Sequence, residues 1–190
     1  MEEVALLSSG GKDSSLAAFI LKKLGYEVKL VNVNFGILDS WKVVKEVAEK
    51  LNCKFSVLRL KRKIFDEACD IILEDGYPNN GIKFIHLRAL EELARRNDKI
   101  GDGTRRDDKV PMLSLGEMRS IEDRFNVEYI APLRGFGYKT VRDLSTRIFI
   151  IEEGEDITKG DYEAELREEL PLTLFPKHKQ SRVVGVKEHV

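Results

Sequence analysis

The chain alternates short apolar runs with longer stretches in which apolar residues recur every three or four positions. The first run, Val4-Ala5-Leu6-Leu7, suits one buried strand. Behind it, Leu16, Ile20 and Leu24 share a stripe with Ala17 and Leu21 beside it, which predicts a helix ended by Gly25. Residues 28–33 read as a second strand. Residues 40–51 read as a helix turning Val44, Val47, Ala48 and Leu51 inward, capped by Asp39 or Ser40. A third strand is predicted at 55–60 and a helix at 64–73, before Gly76-Tyr77-Pro78-Asn79-Asn80-Gly81 breaks the chain. Residues 82–96 are predicted helical, with Leu87, Leu90 and Ala94 on a stripe. A short strand near Lys99-Ile100 opens into a polar loop at 101–108. A helix at 115–125, a fifth strand at 128–131 and a helix at 139–147 complete the alternation. Strands alternating with helices predict an α/β fold: a doubly wound, five-stranded parallel sheet with helices on both faces.

After Ile151 the texture changes. Glu152-Glu153-Gly154-Glu155-Asp156 is acidic and reads as solvated; residues 161–170 suit a surface helix stopped by Pro171. Lys177-His178-Lys179-Gln180-Ser181-Arg182 is a basic run of the kind that is usually solvated, though it is placed to touch a nucleic-acid backbone. Val183, Val184 and Val186 are available for an edge strand or a homodimer contact. The expected division is a main domain over 1–150 and an extension over 151–190.

The densest chemistry lies between the first strand and the first helix, at Ser8-Ser9-Gly10-Gly11-Lys12-Asp13-Ser14-Ser15. Two glycines allow a tight turn, and the amides beyond it point outward at a helix N-terminus, where the dipole favours an anion. Ser9, Ser14 and Ser15 add hydroxyls and Lys12 a compact charge, so the expected ligand is a phosphate. The blander alternative is a plain turn capped by Asp13 or Ser14. A Walker A loop is excluded, because Asp13 follows Gly11-Lys12 and its earlier glycine would fall on Leu6. The dinucleotide Gly-x-Gly-x-x-Gly pattern is absent.

Ser9-Gly10-Gly11-Lys12-Asp13-Ser14 resembles the pyrophosphate loop of the PP-loop ATP pyrophosphatases. The resemblance implies ATP and Mg²⁺ as cofactors, with the β and γ phosphates on the loop, AMP transferred to an acceptor and pyrophosphate released. It implies that 1–150 is the ATP-binding domain. Continuing through Leu16-Ala17-Ala18 and Leu24-Gly25-Tyr26-Glu27-Val28, the opening is similar to tRNA 2-thiouridylases, whose adenine contact would fall on Val33. Pro78-Asn79 and Ile82-Lys83-Phe84 resemble the flanks of the thiouridylase catalytic segment, but Asn80-Gly81 stands where those enzymes carry an active cysteine. By motif order the resemblance reaches about residue 145. The implied partners are ATP and either tRNA or a partner protein. An amide-forming ligase of the diphthamide synthase type and a nucleotide-binding module without turnover are the rival readings.

In a parallel sheet, ligands bind beyond the carboxyl ends of the strands, so the first loop should face Gly101-Asp102-Gly103-Thr104-Arg105-Arg106-Asp107-Asp108. Gly101, Asp102 and Thr104 are expected beside the nucleotide, and Arg105 and Arg106 against the leaving pyrophosphate. Asp107 and Asp108, with Asp13, are the candidate Mg²⁺ carboxylates. Pro132-Leu133-Arg134 and then Lys139 resemble the stretch after strand five in GMP synthetase and tRNA-modifying members; the alternative is an ordinary surface lysine. With Lys12 and Asp13, the residues Arg105, Arg106 and Lys139 form the candidate catalytic set. His86, on the helix after the Pro-Asn loop, is placed to reach the cleft, although a lone helical histidine is more often structural or exposed.

Composition narrows the classes. A chain of 190 residues suits one compact α/β domain, and a net charge of -1 demands neither nucleic acid nor membrane. No apolar run approaches a membrane span, and no secretory signal is read at the start. Cys53 and Cys69 are the only cysteines, which points to a reducing, cytoplasmic compartment. Cys69 shares a stripe with Phe65, Ala68 and Ile72, and Cys53 reads as a small hydrophobe, so neither is expected to be catalytic. Abundant charge and a single glutamine, Gln180, hint at a heat-adapted source.

Overall fold

In the computed structural model, residues 2–155, 160–177 and 179–188 are described. Asp156 of the acidic run and His178 of the basic run lie outside them. Five parallel strands, β1 (Glu3–Leu7), β2 (Glu27–Asn34), β3 (Lys54–Arg59), β4 (Lys99–Gly101) and β5 (Glu128–Ile130), form one sheet in the order β3-β2-β1-β4-β5. The doubly wound α/β fold expected from the alternation is the fold observed. Val4 and Leu6 face one layer, Ala5 and Leu7 the other, as the two-residue period requires.

On one face lie α1 (Lys12–Lys23), α2 (Trp41–Lys50) and α6 (Tyr138–Ile148), whose Leu16, Leu21, Val44, Val47 and Val141 bury against Val4, Leu6, Val28 and Leu30. On the other lie α3 (Arg62–Asp75), α4 (Asn79–Ala94) and α5 (Leu115–Phe125), packed through Phe65, Ile72, Ile85, Leu90 and Ile121. Each such side chain contributes roughly 1.5–3 kcal/mol by leaving water. Leu24 departs from its expected stripe: α1 ends at Lys23, and Leu24 is 69% exposed beyond it. The cap expected at α2 also differs, since Ser40 occupies the N-cap with no side-chain hydrogen bond.

The break expected at 76–81 is shorter. Gly76, at φ 72°, ends α3, and α4 already begins at Asn79. Gly81 lies inside α4 because a Cβ there would stand 2.4 Å from Ile72 Cγ1 and 2.7 Å from the Ala68 carbonyl oxygen. The glycine thus permits a close helix crossing rather than a turn.

The end of the chain folds back. Antiparallel β6 (Phe149–Gly154) and β7 (Gln180–Val186) form a separate ribbon, so the valines extend no edge of the main sheet. Val183 is buried in the α1/α2 layer. Between the two strands, α7 (Tyr162–Glu169) and a 3₁₀ turn (Leu172–Leu174) cover the opposite layer. The surface helix expected here instead buries Tyr162, Glu165 and Leu166. Glu152 and Glu153 are solvated as expected, but on β6, and Glu155 is solvated just beyond it. Among the described residues, no helix is long and apolar enough to cross a membrane.

Candidate functional site

The sheet order reverses at β1, so the chain leaves β1 and β4 in opposite directions and opens a crevice between their carboxyl ends, where α/β sheets bind ligands. A cavity of about 680 Å³ occupies this crevice. Its floor is the turn after β1. Gly10 takes φ 77°, and α1 starts at Lys12 with Gly11 as its extended N-cap. Ser8, Ser9, Gly11, Lys12, Asp13 and Ser14 line the cavity, and Val33 lines it from the end of β2.

Two loop residues brace rather than face the space. Ser15 is fully buried and donates its hydroxyl to the Gly11 carbonyl at 2.8 Å. Gly10 donates its amide to Ser8 Oγ at 3.2 Å, and a Cβ on it would meet Val43 Cγ1 at 3.0 Å. Ser14 Oγ lies 3.1 Å from Ser8 Oγ, tying the two edges of the turn.

The loop after β4 supplies the facing wall, with Asp102, Gly103, Thr104, Arg105 and Asp108 on the cavity. Gly101 differs from expectation: it ends β4, and a Cβ on it would come 2.1 Å from the Ile130 carbonyl oxygen, so it is there for strand packing. Gly103 closes on the phosphate turn, since a Cβ there would lie 2.7 Å from the Ser14 amide nitrogen.

Arg105 is the hub. Its Nε lies 3.0 Å from Asp13 Oδ2, its Nη1 3.5 Å from Asp107 Oδ1, and its Nη2 bonds Asp108 Oδ1. The Tyr138 ring faces both the Arg105 guanidinium, 5.3 Å away, and Lys12 Nζ, 5.5 Å away. Burial pushes the Asp13 carboxyl above its usual range; Lys12 and Arg105 pull it back, while Asp108 pushes it further. Asp13 Oδ1 and the Arg105 Nε and Nη1 groups are buried without an aligned hydrogen bond. Such groups are costly unless something pairs with them.

The expected carboxylate trio gathers around the Arg105 guanidinium, which supplies the positive charge between them. Asp107 Oδ2 accepts the Tyr138 amide at 2.8 Å, which holds its carboxyl below the usual range and uses it to secure the first turn of α6. Asp108 Oδ2 accepts the Arg105 amide at 2.7 Å. Among the described residues, no three His, Cys, Asp or Glu side chains are grouped as a metal site. The atom fitted to a cation is Asp13 Oδ1, buried at the turn after β1 with Lys12 Nζ 3.5 Å away; the remaining ligands would come from phosphate oxygens. Arg106 and Lys139 are exposed and outside the cavity lining. The Arg106 guanidinium lies beside Gly137, and its amide bonds the Phe136 carbonyl.

The third wall comes from the end of the chain. The basic run expected to be solvated contributes Lys179, Gln180 and Ser181, and α7 contributes Asp161, Tyr162 and Glu163. Ser181 Oγ accepts the Lys12 amide at 3.3 Å, the position at which a phosphate oxygen would be met. Val183 donates to the Gly10 carbonyl at 3.2 Å and Gly160 to that of Ser9 at 3.0 Å. Glu165, fully buried, accepts the amides of Phe35, Ile37 and Leu38 at 2.8, 2.9 and 3.2 Å. His86, buried rather than exposed, reaches the cavity wall between Asp102 and Tyr162. The β-branched run Val183-Val184 with Val186, already read as a candidate strand, was the available sign that this tail is extended.

Pro78, Asn79 and Ile82, the flanks that resemble a thiouridylase segment, are on the cavity, whereas Asn80 points to Asp75. Neither cysteine lines the cavity. Burial, with Asp66 nearby, pushes the Cys69 thiol up to about 11, and burial raises Cys53.

The sequence matches the family described as "Family of unknown function (DUF7411)" over residues 1–185. It is 50% identical to Uncharacterized protein MJ0690 of Methanocaldococcus jannaschii, over 99% of this chain and 98% of that one. A crystal structure from the same organism, described as a predicted subunit of tRNA methyltransferase, superposes with a TM-score of 0.94 at 48% identity and full coverage of both chains. A partial similarity reaches the tRNA-specific 2-thiouridylase MnmA 1 of Clostridium botulinum, at 36% identity over 86 residues, 38% of this chain and 23% of that enzyme. Another reaches the tRNA-5-methyluridine(54) 2-sulfurtransferase of Pyrococcus horikoshii, at 42% identity over 28% of this chain and 17% of that enzyme.

Proposed function

The chain belongs to the DUF7411 family, and we propose that it is an ATP pyrophosphatase that adenylates an acceptor in RNA base modification. The observation that carries the reading is the phosphate turn itself. Lys12 and the α1 amides on the floor, with the Arg105 guanidinium on the facing wall, line one cavity and suit a polyphosphate. The β and γ phosphates would lie on Gly11 to Ser14, with Arg105 neutralising charge on the departing pyrophosphate. Asp13 Oδ1 would share Mg²⁺ with the phosphates, and the ion would supply charge neutralisation.

In this reading an acceptor oxygen attacks the α-phosphorus, the bond to the β-phosphate oxygen breaks, and pyrophosphate leaves. A nitrogen or sulfur nucleophile then displaces AMP. Positioning and preorganised charge supply most of the catalysis. The tRNA enzymes similar over part of this chain support RNA as the acceptor, and the described methyltransferase subunit supports a partner protein. With no cysteine on the cavity, sulfur or nitrogen would arrive from outside the chain. Incubation with ATP, Mg²⁺, unfractionated tRNA and sulfide or ammonia as the nucleophile should release pyrophosphate and AMP in equal amounts. Release of ADP and phosphate instead, or no turnover with tRNA and any partner that co-purifies, would refute the reading.

A further inference from the structure

The cavity also holds a chain of buried polar groups that phosphate binding does not use. Asp102, 2% exposed, accepts four hydrogen bonds: from the Thr104 amide and hydroxyl at 2.9 and 2.7 Å, from Tyr129 Oη at 2.7 Å and from His86 Nε2 at 2.7 Å. Burial alone would raise its carboxyl, but the hydrogen bonds from His86, Tyr129 and Thr104 hold it down to about 2. An ionised carboxylate only accepts, so His86 Nε2 carries the proton in that bond. With a proton on Nε2, the ring offers Nδ1 to the Tyr162 hydroxyl 3.2 Å away. Both Tyr162 and His86 line the cavity, and Gly103, next to Asp102, touches the phosphate turn at Ser14.

A clamp holding α7 to α4 could be built from apolar side chains without desolvating a carboxylate. We propose that Tyr162, His86 and Asp102 form a proton relay for the acceptor. The inference rests on the adenylation reading and narrows its substrate to a group that loses a proton on reaction, a lactam N–H or a hydroxyl. As the acceptor oxygen bonds to the α-phosphorus and pyrophosphate leaves with the bonding pair, the acceptor's proton passes to Tyr162 Oη. The Tyr162 proton passes to His86 Nδ1, and the imidazolium rests against Asp102. Tyr162 touches the substrate; His86 and Asp102 act through it.

The test combines two readouts on the full chain. Nitrogen NMR of histidine-labelled protein should show His86 as the neutral Nε2–H form at pH 7.5. With ATP, Mg²⁺, unfractionated tRNA and sulfide or ammonia, Tyr162→Phe and His86→Gln should each lower kcat about 100-fold. The KM for ATP and the melting temperature should stay near wild type. A ring protonated on Nδ1, or a variant of unchanged kcat, overturns the relay. If wild type releases no pyrophosphate, the adenylation reading fails separately, and the ring's tautomer still decides the relay's direction.

Discussion

The cavity's two ends are built by opposite means. The phosphate turn is local: Gly10, Gly11 and the first turn of α1 fix their own geometry through hydrogen bonds spanning two to six residues. The cover is remote: Ser181 meets Lys12 across 169 positions, and Glu165 meets Phe35 across 130. A local turn persists once its strand and helix form. A remote wall exists only while its docking contacts hold, so the cover should be the part that responds to substitution and conditions.

Removing the strongest of those contacts gives the largest effect. Glu165→Ala leaves three amides without their acceptor and should cost at least about 3 kcal/mol in urea unfolding. It should also weaken ATP binding, since the cavity loses a wall. A loss in stability with unchanged binding would separate the cover from the site.

Acid should act next, through Asp102, which links the two ends. Its carboxyl is depressed from 3.8 to about 2, so its contribution is present above about pH 4 and is lost as pH falls toward 2. That contribution is roughly 2 kcal/mol. The stability difference between wild type and Asp102→Asn should therefore shrink by this amount from pH 5 to 2. A constant difference would contradict the assigned hydrogen bonds.

The smallest expected effect sharpens the comparison. Ser181→Ala removes the hydroxyl that occupies the Lys12 amide and should tighten ATP binding about threefold to tenfold, the value of one freed hydrogen bond. Weaker binding would instead make Ser181 a phosphate ligand.

The sheet and the glycine turn before α1 were legible because their signals are local: period-two apolar runs, a glycine pair and a helix behind it. Residues 115–125 coincide with α5 because a Ser114–Glu117 capping box marks its start. Gly101, Gly81 and Ser15 misled, since packing and bracing demand the same small residues that ligand binding does. Asp107 misled because a carboxylate can serve a helix amide as well as a cation. His86, Tyr162 and Ser181 could not be assembled from the chain, because their meaning lies in partners 16 to 169 positions away. Of the ribbon, β7 was legible in its valines, but β6 was not, as the acidic run hides it behind solvated side chains.

The central claim, a triphosphate seated on the turn at 8–15, is tested most directly by titration calorimetry of ATP with Mg²⁺. Wild type should bind, and the double variant Asp13→Ala/Ser14→Ala should lose at least tenfold in affinity while keeping its melting temperature. Equal affinity in the folded double variant would contradict the account.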